Sequence, residues 1–172
     1  MKFRLAILVV VALVASCITL TSGAITTFKA GPFNVSVDIG MPCNDINIKE
    51  PTRTETISGN SFTDYYVIIC DVALELIRYD EDVFQRNTPF SPDAVRNMIL
   101  TAGASEDTIL VYPREINSKS IAVGSGYIPK YDETVYTAGF IISPKSLCYI
   151  YVFGNGTKMV SAMKSIRITE AA

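Results

Sequence analysis

Between Thr108 and Phe153 the chain carries four β-rich apolar segments, Thr108 to Tyr112, Ser120 to Ile128, Thr134 to Ile142 and Leu147 to Phe153. Only short polar stretches part them: Asn117-Ser118-Lys119, Pro129-Lys130-Tyr131-Asp132-Glu133 and Ser143-Pro144-Lys145-Ser146. Separators of that length close hairpins, so this stretch predicts an antiparallel meander. The rest of the chain has to cover it. Phe33, Val35, Val37 and Ile39 alternate with polar residues, the period of a strand with one wet face, and Phe28 to Ala30 with Phe33 to Ile39 reads as one extended segment interrupted at Gly31-Pro32. The stretch 40–60 reads as a long surface loop with a short edge strand at Ile46 and Ile48. Tyr65 to Cys70 and Val72 to Tyr79 lack clean alternation and are expected as a strand pair buried on both faces.

Two helices are expected. Ser91 is a good N-cap, Pro92 suits the first helical position, and Val95, Met98, Ile99 and Ala102 recur at helical spacing before the Gly103 stop. Thr157 is expected to cap a second helix carrying Met159, Ala162, Met163 and Ile166, followed by a short strand at Arg167-Ile168-Thr169. The fold class expected is α+β, an antiparallel sheet of about six to seven strands flanked by two α-helices.

The first 24 residues form a leader: Lys2 and Arg4, then Leu5 to Ala15 without a polar side chain, then a small and polar tail. Residues 25–172 follow as a single domain, of a length that suits one core. Val14-Ala15-Ser16-Cys17 resembles a lipobox, which would make Cys17 a lipid-attachment site, whereas ordinary cleavage near Gly23 or Ala24 would discard it. Either route places the domain outside the cytoplasm, secreted or anchored at the outer face of the membrane. There disulfides persist, and Cys43 with Cys70 is the expected pair, because the second ends a strand able to return beside the first. Cys148, inside the apolar run Leu147 to Phe153, is expected as a buried thiol.

The chain contains no His, which removes Ser-His-Asp and Cys-His catalysis, His-ligated zinc and haem, and imidazole acid–base chemistry. Its 15 Lys and Arg against 17 Asp and Glu leave no basic footprint for nucleic acid. No catalytic, metal or cofactor-binding residue is therefore assigned. Asp80-Glu81-Asp82 and Asp132-Glu133 offer oxygen ligands to Ca²⁺ only if their loops meet, and they lack an EF-hand pattern. Gly124-Ser125-Gly126 lacks a phosphate-loop lysine and reads instead as a bulge or as close packing against a helix. Tyr149, Tyr151 and Phe153 share one strand face and form a docking surface unless a helix packs on them. Asn34-Val35-Ser36 and Asn155-Gly156-Thr157 are glycosylation sequons at Asn34 and Asn155.

The order of a strand after an export signal, a helix from Ser91 to Ala102, a meander containing Ala122-Val123-Gly124-Ser125-Gly126-Tyr127 and a terminal helix before Ser165-Ile166-Arg167-Ile168 resembles the PsbP-like family. The layout is also similar to small exported proteins of archaea. The resemblance implies a PsbP-like fold and an assembly, docking or surface-associated role, and it transfers no site residue. The expectation is thus a non-catalytic extracytoplasmic binding or assembly module. Its partner would be an envelope or extracellular protein, with no nucleic acid, no cofactor, and membrane contact only through the N-terminal segment or a lipid. The alternatives are a small-ligand or Ca²⁺-binding domain on the acidic loops and, third, a carboxylate-based hydrolase.

Overall fold

The computed structural model describes residues 25–56, 59–85, 89–116 and 119–171. The leader and Cys17 lie outside the described residues. The chain order is β1 (Thr26–Ala30), β2 (Phe33–Val37), β3 (Ile46–Ile48), β4 (Thr52–Glu55), β5 (Ser61–Ile69), β6 (Val72–Tyr79) and α1 (Pro92–Thr101). After a 3-10 turn at Glu106–Thr108 come β7 (Leu110–Ile116), β8 (Lys119–Ile128), β9 (Glu133–Ser143), β10 (Ser146–Phe153), α2 (Gly156–Ser165) and β11 (Arg167–Glu170). This is a mostly β protein, which overturns the expected α+β class and its single sheet of six or seven strands.

Two sheets stack. The larger has eight antiparallel strands in the order β3-β5-β6-β10-β9-β8-β7, with β4 also on β5, and the smaller has three in the order β1-β2-β11. The meander expected from the short separators is present as β7 to β10. The second sheet arises at Gly31-Pro32, which reverses the chain so that Ala30 pairs with Phe33 instead of letting one strand run on. Gly31 has φ +55°, and a Cβ there would lie 2.0 Å from the Tyr65 ring, so neither the turn nor the space admits a side chain. Phe33, Val35 and Val37 then point at the large sheet, and β11 adds to the free edge of β2 with Ile168 opposite Val35.

Between the sheets lies the main core, where β2 and the α2 residues Met159, Ala162 and Met163 close over Val67, Ile69, Leu74, Leu76, Cys148, Ile150 and Val152. Cys148 is buried there as a thiol, outside any disulfide. The N-cap of α2 is Asn155, whose side chain accepts from the Thr157 backbone N–H at 3.0 Å, two residues ahead of the Thr157 cap expected from the sequence. On the far face of the large sheet, α1 packs across β7, β8 and β9 through Val95 and Ile99. A Cβ on Gly126 would lie 2.6 Å from Ile99 Cγ2, and one on Gly124 would lie 2.7 Å from Ile99 Cδ1. The two glycines are a seat for a helix, not a phosphate loop.

A polar clasp joins the two sheets. Glu170 on β11 receives Arg78 Nε at 2.6 Å from β6, and hydroxyl donors from Ser146 at 2.8 Å and Ser143 at 2.9 Å. Burial alone would raise the Glu170 carboxyl, but the Ser146, Arg78 and Ser143 hydrogen bonds with the Arg78 charge outweigh it and hold the group below its ordinary range. A disulfide joins Cys43, ahead of β3, to Cys70 in the β5–β6 turn, with the two Cα atoms 6.2 Å apart. It is the pair expected from the sequence, and it fits a non-cytoplasmic environment. Among the described residues no helix is long and apolar enough to cross a membrane.

Candidate functional site

Alternation along β5 and β6 decides which side chains reach the far face. Tyr65, Val67 and Ile69 turn inward to the main core, so Phe62, Asp64 and Tyr66 turn outward; on β6, Leu74 and Leu76 turn inward and Glu75, Ile77 and Tyr79 outward. Pairing sets Tyr66 opposite Glu75 and Asp64 opposite Ile77, and on the other side Glu75 stands opposite Tyr149. Asp64 and Glu75 are therefore diagonal neighbours, about 7–8 Å apart in such a ladder. The helix α1 covers β7, β8 and β9, and among the described residues neither helix packs closely on the β5–β6 half of this face. Phe62, Tyr79 and Phe84 form its rim, with centroid separations of 5.5 Å and 5.7 Å.

The two acids occupy an unusual environment. Tyr151 Oη donates to Glu75 Oε2 at 2.6 Å. Asp64 Oδ1 is shielded from water and, among the described residues, has no hydrogen-bond partner. An acceptor in that state costs about 1–3 kcal/mol. Burial first, then the Glu75 charge, pushes Asp64 up from 3.8 to about 6. Burial also raises Glu75, against the pull of the Tyr151 hydrogen bond. Burial followed by the Glu75 charge lifts Tyr149 to about 12 and raises Tyr151 and Tyr66 as well. These phenols stay protonated at any physiological pH and serve as donors and apolar surface.

Stability should therefore depend on pH in two opposed ways. With raised native pKa values, Asp64 and Glu75 bind more protons folded than unfolded. Their contribution is fully present below their unfolded values of 3.8 and 4.5, and it is lost as pH rises through their folded ones, about 6 for Asp64. Glu170, lowered, contributes above its unfolded value of 4.5 and loses that contribution as pH falls through the folded one. The expected profile peaks in mild acid. Asp64→Asn should stabilise at pH 7.5 by on the order of 1–2 kcal/mol, about half of the full linkage value because the side chain is only partly buried and water screens part of the charge, and should flatten the decline above pH 5. Denaturant unfolding across pH 4 to 8 reads this, and a wild-type profile with no decline between pH 5 and 7.5 would refute it.

The other expected sites fall elsewhere. Tyr149 and Tyr151 are buried, with Phe90 edge-on to Tyr149 at 5.6 Å, so their face is not an open docking surface; only Phe153, 38% exposed, reaches solvent. The rings are covered because the segment leading into α1 carries Phe90 over β10, a contact the strand's own alternation does not reveal. Asp80 is bonded by Arg53 at 2.6 Å, and Lys145 reaches the Asp80 carbonyl at 2.9 Å and Asp82 at 3.9 Å. Asp132 and Glu133 stand at the opposite end of the 11-residue β9, about 35 Å from that turn, so the two acidic loops cannot share a cation. Among the described residues no cluster of three or more Asp, Glu or Cys is placed to hold a metal. A cavity of about 90 Å³ lined by Gly59, Asn60, Ser61, Tyr79, Asp80, Glu81 and Val83 is well under the ~300 Å³ of an ordinary ligand pocket. Asn34 is exposed on the outer face of β2, and Asn155 is exposed at the α2 cap.

The Asp64–Glu75 pair is absent from the sequence expectations, which looked for acids in loops. The signal was present as single polar residues inside otherwise apolar strands. Comparison of the chain with family models, with curated proteins and with solved structures finds no match.

Proposed function

We propose that this chain is a non-catalytic binding or assembly module working outside the cytoplasm, secreted or held at the membrane by its N-terminal segment or a lipid on Cys17. Its recognition surface is the β5–β6 half of the large sheet. The carrying observation is that two partly buried carboxylates, Asp64 and Glu75, stand on that surface with no salt-bridge partner among the described residues. An acid kept at such a cost, in a chain without imidazole, is better accounted for by a partner than by a reaction. The Cys43–Cys70 bridge supports the compartment.

Fractionation of expressing cells tests both halves of the reading. Intact mass of the protein from medium and membrane should give a chain beginning near Ala24, or at Cys17 with a lipid adduct. Crosslinking in the same fractions should yield adducts on β5 or β6 that Asp64→Asn/Glu75→Gln abolishes. A protein confined to the cytoplasm with residues 1–24 retained, or adducts indifferent to the double variant, would sink the proposal.

A further inference from the structure

We infer that Pro113 bars the open edge of the large sheet to strand addition, and that a chain without it pairs through β7 with a second copy of itself. The β7 edge lies at the far end of the sheet from β5, so the inference stands independently of the recognition surface proposed above.

Hydrogen-bond parity carries the inference. Among the described residues β7 pairs only with β8. In an antiparallel ladder, alternate residues turn both of their backbone groups to the same neighbour. On β8, Tyr127 turns towards the β7 side: its N–H donates to Thr108 Oγ1 at 2.9 Å, and its carbonyl accepts the Ser105 N–H at 2.9 Å. Counting back by twos, Ser125, Val123, Ile121 and Lys119 share that direction, and their partners on β7 are Leu110, Tyr112, Arg114 and Ile116. The N–H and carbonyl groups of Val111 and Glu115, and the carbonyl of Pro113, therefore point out of the sheet. Pro113 is the sole proline inside a strand among the described residues. At this position it takes no bond from the β7–β8 ladder and removes the central donor from the row offered to a newcomer.

The other edges are protected by being short. β3 and β4 share the opposite edge of the large sheet with three and four residues, parted by Lys49-Glu50-Pro51, and β1 and β11 border the small sheet with five and four. β7 has seven residues and carries Leu110 at 64% exposure and Tyr112 at 44%. An edge of that length and character templates another strand unless something interrupts it. The segment is also complementary to itself. Antiparallel pairing about position 113 sets Leu110 against Ile116, Val111 against Glu115 and Tyr112 against Arg114. The last pair repeats between chains a contact already made within one, where Arg114 Cζ lies 4.5 Å from the centre of the Tyr112 ring. With proline in place, position 113 faces its own copy, two carbonyls find no donor, and the two rings hold the strands apart. In the adjacent registers, centred on Tyr112 or Arg114, each Pro113 still stands opposite an outward residue, Val111 or Glu115, and withholds its bond.

The test compares wild type, Pro113→Thr and Pro113→Thr/Glu115→Pro, each as the full exported domain, by sedimentation velocity over a hundredfold range of concentration and by amide hydrogen exchange. Wild type should stay monomeric, with the Tyr112 and Arg114 amides exchanging at least tenfold more slowly than those of Val111 and Glu115. That pattern tests the parity without any variant. Pro113→Thr should pass from monomer to dimer as concentration rises, and its Val111 and Glu115 amides should slow at least tenfold. The double variant returns a proline to an exposed, outward position of the same strand and should return the monomer. Slow exchange in β9 and β10 verifies that each variant folds. The inference is overturned by a folded Pro113→Thr protein that stays monomeric, by a dimer protected only at other strands, or by aggregates with no discrete dimer. Wild-type protein with Val111 and Glu115 already protected, or a double variant that dimerises as readily as the single one, overturns it equally.

Discussion

Replacing Cys43 and Cys70 together by serine is expected to lower stability by about 3–4 kcal/mol, because the bridge closes a 27-residue loop in the unfolded chain. For a domain of this size that corresponds to a fall of roughly 10 °C in Tm. The loss should be local first. The bridge fastens the segment ahead of β3 to the β5–β6 turn, where Cys70 adopts φ 53° and its N–H bonds the Asp45 carbonyl at 3.0 Å. Without it, β3 has only three residues with which to hold its place on β5. Hydrogen exchange should therefore quicken in β3 before it does in β6 or β10. Thermal unfolding with and without a phosphine reductant gives the same answer in the wild-type protein. An unchanged Tm on reduction would mean that the 43–70 segment is held by its own contacts.

The second large effect is expected at Gly126. A methyl group there meets Ile99 Cγ2 at 2.6 Å and Ala104 Cβ at 2.8 Å, and the second of these cannot swing aside. Gly126→Ala should destabilise by about 2–3 kcal/mol, at the upper end of what overpacking costs, since α1 has to lift from the sheet. Ile99→Ala in that background should cost less than it does alone, because the two substitutions share one contact. Urea unfolding of the four proteins completes the cycle, and a fully additive result would show that Gly126 is not the seat of the helix.

Much of the local structure was legible and the assembly was not. Hairpin-length separators reveal β7 to β10, and Ser91-Pro92 with the Val95, Met98, Ile99 spacing reveals α1, because those signals are local. β4 was missed, since Thr52, Arg53, Thr54 and Glu55 are all exposed and its only reason to be a strand is the edge of β5. The second sheet was missed because nothing near Phe33 announces a partner about 130 residues later. The site suffered the same fate. Asp64 and Glu75 are eleven positions apart in sequence, and only the two-residue turn at Cys70-Asp71 brings them side by side.

The pairing of β2 with β11 also has a consequence in time. A strand made near the start of the domain waits for one made at residues 167–170, and until that strand emerges the Phe33, Val35 and Val37 side chains have no finished roof to belong to. Such non-local closure is slow. A nascent chain remains threadable until those residues emerge, and one cut short before Arg167 lacks the Glu170 latch and exposes apolar surface to any protease on watch. The architecture thus delays commitment to the folded state until residues 167–170 have been delivered.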